Sequence, residues 1–140
     1  MWLLWAHLAH AELVDGILDV VGDRIVPRSD VAFEADFTAH DRSPLAPLQD
    51  PTYPLEQRLI DYAILRELAG DIEIYKPSSA DVRARWERFR GSWPHPEDHL
   101  AFLAQWGLDD EQLLGFLYSR LVVERYIARN AVSAVAPDAP

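Results

Sequence analysis

The sequence predicts a mainly α-helical domain that begins with a small β-hairpin and continues as a bundle of about five helices. Two observations lead to this prediction. Residues 17–30 combine two short β-branched runs with a tight turn, and the later apolar stretches follow helical spacing and end near glycines. A length of 140 residues, of which 49% are hydrophobic, is enough for one domain with one core.

The hairpin is predicted from the apolar pairs 20–21 and 25–26, which flank Gly22 and Asp23. Apolar β-branched runs separated by a glycine-containing pair are typical of a hairpin whose turn needs positive φ. Pro27 follows the second run and should end strand pairing, because proline has no backbone N–H to donate.

The first helix is expected over residues 30–40. Ser29 should cap it by accepting a hydrogen bond from a free backbone amide, and Asp30 suits the positive end of the helix dipole. The apolar edge of this helix consists of Val31, Phe33, Glu34 and Phe37. Several prolines within residues 42–54 then forbid a continuous helix and predict an extended connector, which we interpret as a plain loop.

Four further helices are predicted from apolar residues at helical spacing. Their ranges are 55–69, 80–90, 97–106 and 111 to about 130. Gly70 and Gly107 are expected to end two of them, and Asp109 to cap the last. The tripeptide 72–74 is too short to assign as a strand. The tail, residues 132–140, contains small residues and prolines and is expected to be disordered.

The helix over residues 80–90 carries a group of arginines beside an apolar face that includes Trp86. The arginines are Arg83, Arg85, Arg88 and Arg90. They either grip an acidic partner or form a solvated face that offsets the acidic composition, and we favour the solvated face.

The last helix is apolar around more of its circumference than one core-facing stripe requires. Either it is central to the bundle and buried on several sides, or part of it is exposed. Exposed apolar surface of that size usually marks a partner site.

Composition and motifs argue against several classes of function. A net charge of −10 makes nucleic acid an unfavourable partner, and the absence of cysteine excludes disulfides and thiol chemistry. His95 and His99 are four residues apart, but Pro96 places His95 at the helix start and no third metal ligand is evident. Ser119 lacks a nucleophile motif, and no glycine-rich phosphate loop is present. We therefore expect no catalytic residue, metal or cofactor.

Residues 1–11 are apolar, uncharged, and end in Ala9-His10-Ala11, a triplet of the kind that signal peptidase cleaves. We expect a signal-peptide remnant and export, although a positively charged start is missing. The alternative is an apolar N-terminal helix packed on the domain. A membrane span would need about 20 apolar residues and is not expected.

The order Val14-Asp15, strand, small turn, strand and Ser29-Asp30 resembles the N-terminal region of the SurA family of periplasmic chaperones. The resemblance continues through Gly70 and the later Gly107-Leu108 turn before a long closing helix, and it covers about residues 14–130. It implies a chaperone domain over residues 12–131 of a periplasmic protein. Relatives often carry parvulin-type prolyl isomerase domains, but this chain has no stretch that fits one, so isomerase activity is not expected.

The resemblance implies ATP-independent binding of unfolded or extended, aromatic-rich polypeptides, such as outer-membrane protein precursors. Candidate contacts come from the apolar coverage of the last helix and from neighbouring aromatic residues. They are Trp86, Phe116, Tyr118 and Val123. The competing interpretation is a non-enzymatic assembly module that binds one folded partner or forms a homodimer.

Overall fold

The computed structural model describes residues 16–134, and it confirms a mainly helical fold with an N-terminal hairpin. The residues 1–15, which include the expected signal-peptide remnant and the Val14-Asp15 start, lie outside the described part. The elements in chain order are β1 (Ile17–Val21), β2 (Arg24–Pro27), α1 (Ser29–His40), α2 (Ala46–Gln49), α3 (Leu55–Ala69), a 3-10 turn (Glu73–Tyr75), α4 (Ser79–Arg90), α5 (Pro96–Trp106) and α6 (Asp110–Ala134).

The two strands form the expected antiparallel hairpin. Val21 pairs with Arg24 across a two-residue turn, in which Gly22 has a φ of 58°. Only glycine adopts this conformation without strain, and a Cβ here would also meet the Glu67 carboxylate at 3.1 Å. Val26 is buried and anchors β2 to the helices.

The start of α1 differs from the prediction by one residue. The helix begins at Ser29, so Arg28 holds the N-cap position and its side chain makes no capping hydrogen bond. The reason is that the Arg28 N–H donates to the Gly16 carbonyl at 2.8 Å, which ties the end of the hairpin to the first helical turn. The predicted cap at Ser29 is therefore wrong.

The other helix boundaries follow local signals closely. The range predicted for α3 is the one observed, and Gly107 ends α5 in the left-handed conformation. Ser78 and Asp81 form a reciprocal capping box at the start of α4. The proline-rich connector contains the one-turn helix α2, which the prediction lacked, and residues 73–75 form a 3-10 turn rather than a strand.

The core is largely aromatic and is closed by α6. Its buried cluster consists of Phe37, Phe89, Phe102, Leu103, Leu113 and Leu117. The α6 helix packs against both α3 and α4, which accounts for its broad apolar coverage. Its backbone continues to Ala134, past the expected end near residue 130 and into the predicted tail, whose residues 135–140 lie outside the described part. Among residues 16–134, no helix has the length and apolarity that a bilayer span requires.

Candidate functional site

The α6 helix divides the four candidate contact residues between two clefts. Phe116 and Tyr118 are two positions apart, which separates them by about 200° around a helix of 3.6 residues per turn. Phe116 and Val123 line one cleft, and Trp86 and Tyr118 line another. The candidates therefore form two pairs rather than one continuous surface.

The first cleft, which we call the hairpin cleft, lies between β2, α1, α3 and α6 and has a volume of about 410 Å³. Phe116 lies at the edge of the cleft and is 41% exposed. Its ring centroid lies 5.1 Å from that of Phe33. Trp106 meets Phe33 edge to face at 5.4 Å. Val123 is only 2% exposed and contributes to the buried wall. This arrangement offers a mostly apolar, aromatic surface to a ligand.

A buried ion pair forms part of the charged lining of the hairpin cleft, which also includes Arg24, Asp30 and Arg66. Arg120 donates hydrogen bonds to both carboxylate oxygens of Glu34, and its guanidinium lies 4.3 Å from the Tyr62 ring centroid. Burial acts to lower the pKa of Arg120, but the charge of Glu34 and the hydrogen bonds to Glu34 and Tyr62 together outweigh it and raise the pKa above its ordinary value. Burial raises the pKa of the Tyr62 hydroxyl, which stays neutral. Glu34 was expected on the apolar edge of α1, and this pair explains how a carboxylate is accommodated there.

The second cleft, which we call the α4–α6 cleft, has a volume of about 610 Å³. Its walls include Trp86, Tyr118 and Leu114, with Arg83 and Asp110 as charged members. The Arg90 guanidinium lies 4.5 Å from the Trp86 ring centroid, an attractive cation–π geometry. The lining is again mainly apolar and aromatic.

Each cleft also contains a tryptophan with a buried, unpaired indole nitrogen. The Nε1 atoms of Trp86 in the α4–α6 cleft and Trp106 in the hairpin cleft have no hydrogen-bond partner among the described residues. An unmade buried hydrogen bond costs about 1–3 kcal/mol. A ligand carbonyl that reaches either N–H after a small shift of the ring would recover part of that cost.

A second buried ionic cluster was missed by the sequence reasoning. Arg85 is 5% exposed and bridges two acids, with hydrogen bonds to Asp41 and to both carboxylate oxygens of Glu124 at 2.8 Å. Burial acts to lower the pKa of Arg85, but hydrogen bonds from its guanidinium to the two carboxylates raise it. The solvated-face interpretation is therefore wrong for Arg85, although Arg83 is exposed as expected. The available signal was the spacing of Arg85 four residues before buried Phe89, which places both on one helix face.

The two histidines considered for metal binding lie in different environments. His95 is exposed at the N-cap of α5, whereas His99 is buried against Trp93, with ring centroids 5.2 Å apart. His40 stacks on the same Trp93 ring at 3.8 Å. Burial lowers the pKa of both His40 and His99. Among residues 16–134, no group of three or more histidine and acidic side chains is arranged to hold a metal ion.

Comparisons of the chain with protein-family models, with curated proteins and with solved structures give no significant match. The resemblance to the SurA family stays a prediction that depends on the quoted sequence pattern alone.

Proposed function

We propose that this domain is an ATP-independent holding chaperone that binds extended, aromatic-rich polypeptide in the hairpin cleft. The observation that carries the proposal is the exposed Phe116 ring, which borders an apolar cleft already lined by Phe33 and Trp106. A volume of about 410 Å³ lies within the range that proteins use for ligand pockets. Apolar contact is largely non-directional, so such a cleft accepts varied client side chains.

The α4–α6 cleft provides a second contact region under the same proposal. Trp86 and Tyr118 line it, as Phe116 and Val123 line the hairpin cleft, and both clefts border α6. A flexible client that occupies both gains from the high effective concentration of its second segment once the first is bound. Each single contact can then be weak while the client is still retained.

The proposal includes export to the periplasm, which the Ala9-His10-Ala11 triplet and the family resemblance support. Cleavage after Ala11 would leave Glu12 as the first residue of the mature protein. Mass spectrometry of protein recovered from a bacterial periplasm tests this directly. Recovery of the intact chain from Met1 in the cytoplasm alone would contradict it.

The holding activity is tested by comparing Phe116→Ser with Leu100→Ser. Leu100 is a matched control because its side chain is 64% exposed on α5 and lines neither cleft. Binding of a fluorescent, extended aromatic peptide should be micromolar for the unchanged protein, near −8 kcal/mol. Loss of about 1–2 kcal/mol of apolar contact should weaken binding roughly 5- to 30-fold in Phe116→Ser, and Leu100→Ser should bind normally. Equal binding by both variants would contradict the proposal.

A second candidate function is assembly with one folded partner, including a second copy of the chain. The observation that favours it is the exposure of large apolar side chains on the hairpin and on α3. They are Ile17, Val20, Ile25, Ile64 and Leu68. Exposed apolar patches on soluble proteins mark interaction sites. Light scattering across a range of concentrations tests self-assembly, because a dimerisation module should show twice the monomer mass. The fluorescent-peptide titration then separates the two functions, because such a module should have no affinity for unfolded peptides.

A further inference from the structure

A third cleft differs from the other two because polar and positively charged groups dominate its lining. It lies where the proline-rich connector meets α3 and α6, has a volume of about 400 Å³, and we call it the connector cleft. Its walls include Arg42, Arg58 and Arg120, together with the hydroxyl groups of Thr38, Ser43 and Tyr62. Arg120 and Tyr62 also line the hairpin cleft.

The carboxylates near the connector cleft are already engaged by other groups. Asp41, the one acid in the wall, has both oxygens held by Arg85. Asp50 accepts hydrogen bonds from the backbone N–H and hydroxyl of Thr52 at 2.8 and 2.7 Å. Asp61 accepts from side chains of neighbouring residues. None of these acids lies within 4.0 Å of a nitrogen of Arg58 or Arg42.

Arg58 is fixed in place but has a donor without a partner. One terminal nitrogen donates weakly to the backbone carbonyls of Asp50 and Tyr53, at 3.3 and 3.5 Å. The guanidinium lies 5.4 Å from the Tyr53 ring centroid. Its Nε atom is buried and has no hydrogen-bond partner among the described residues. The Asp50 carboxylate interacts with this guanidinium only from beyond 4.0 Å. A half-buried guanidinium with no carboxylate in contact and with an unmade hydrogen bond is unfavourable, and a bound anion would supply both.

We propose that the connector cleft is a binding site for a carboxylate, with Arg58 as the main donor and Arg42 as a second cation at the exposed rim. The planar guanidinium fork matches the two oxygens of a carboxylate, and the hydroxyl groups of Ser43 and Tyr62 can donate further hydrogen bonds. The Thr38 hydroxyl already donates to the Glu34 carbonyl. Arg120 is committed to Glu34 and contributes positive potential rather than the main contact. The carboxylate belongs either to a small organic acid or to the C-terminus of a peptide.

The proposal does not depend on the holding activity. Carboxylate binding in this cleft requires Arg58, whereas client binding in the hairpin cleft requires Phe116. The test uses the ¹⁵N-labelled chain and follows the side-chain Nε–H resonance of Arg58 by NMR. Sodium acetate, sodium chloride and sodium sulfate are added at equal ionic strength. A tripeptide is added with a free or an amidated C-terminus.

Acetate should shift the Arg58 Nε–H resonance in a saturable manner with a roughly millimolar dissociation constant, whereas chloride should not. Arg58→Lys lacks the Nε–H reporter, so acetate binding to this variant is followed through the backbone amide resonances of the residues that line the connector cleft. Binding should be at least tenfold weaker, because lysine cannot form the bidentate fork. Arg83→Lys is the control, since Arg83 is exposed and lines a different cleft. If Arg58→Lys does not fold, Arg42→Gln at the exposed rim should still weaken acetate binding measurably.

Equal shifts with acetate and chloride, or stronger binding of sulfate, would overturn the proposal. Detectable binding of both tripeptides, the free and the amidated, with equal affinity would overturn it as well. Binding of acetate together with the free tripeptide indicates a peptide C-terminus as the ligand. Binding of acetate without either tripeptide supports a small organic acid.

Discussion

Replacing Arg85 by methionine should destabilise the fold strongly, because Arg85 is the only cation that contacts both Asp41 and Glu124 among the described residues. All three side chains are buried, and the guanidinium makes four hydrogen bonds to the two carboxylates. Methionine keeps much of the apolar length but supplies no donor. Two buried carboxylates would then lack their counter-ion.

The magnitude follows from the cost of breaking a buried ion pair by removing one partner, which is about 3–5 kcal/mol. Domains of ordinary stability unfold with about 5–15 kcal/mol, so the loss is a large share of the total. With a urea m value of about 2 kcal/mol/M, the unfolding midpoint should fall by about 2 M. The matched control Arg83→Met changes an exposed arginine on the same helix and should shift stability by less than about 0.5 kcal/mol.

The assay is urea unfolding followed by tryptophan fluorescence and by circular dichroism, with coincidence of the two curves as the check of two-state behaviour. Replacing all three groups with apolar residues, as in Asp41→Leu, Arg85→Met, Glu124→Leu, should recover much of the lost stability. If Arg85→Met unfolds at the same midpoint as Arg83→Met, the cluster does not stabilise the fold and the reasoning from burial is refuted.

Three further predictions concern stability. Burial lowers the pKa of His40 and His99 in the folded protein, so the unfolded chain binds protons more readily. The urea midpoint should therefore fall as the pH drops from 7.5 to 5.5, and a constant midpoint would contradict this. Phe37→Ser should cost about 3–5 kcal/mol in denaturant unfolding, since Phe37 is fully buried, and Phe116→Ser clearly less; equal losses would place Phe116 in the core. Gly22→Ala should lower the melting temperature by an amount equivalent to about 1–2 kcal/mol, because alanine is strained at positive φ, and an unchanged melting temperature would refute that.

The fold was predictable where the signals are local. Gly22, Gly70 and Gly107 have positive φ, as their places at a turn and at helix ends suggested. The apolar spacing of α3, together with Gly70 after it, predicted both of its ends. The start of α1 was misplaced because the hydrogen bond that displaces it joins Arg28 to Gly16, which precedes β1 and is twelve positions earlier in the chain.

The buried charges were not predictable in the same way, because their partners are distant in sequence. Arg85 meets Asp41 and Glu124 only after three parts of the chain have packed together. The helix face of Arg85 could be inferred from Phe89, but no local pattern predicts that Asp41 and Glu124 are its partners. The connector cleft likewise depends on the approach of α3 and α6 to a proline-rich segment whose course the sequence does not specify.

Helical geometry alone predicts that the candidate contacts on α6 lie on two different faces of the helix. A separation of two positions places Phe116 and Tyr118 on nearly opposite faces of α6, so the single surface assumed for the four candidates was incompatible with a regular helix. Which face carries a cleft depends on the neighbours of each face. The hairpin and α3 flank one side of α6, and α4 flanks the other.

The most direct test of client binding in the hairpin cleft is the indole N–H resonance of Trp106 during titration with an extended aromatic peptide. The proposal predicts a saturable shift at micromolar peptide, which Phe116→Ser weakens. The indole resonance of Trp93, which stacks on His40 and lines neither cleft, should stay unchanged. A Trp106 resonance that does not move at millimolar peptide, or that moves equally in Phe116→Ser, would contradict the proposed function.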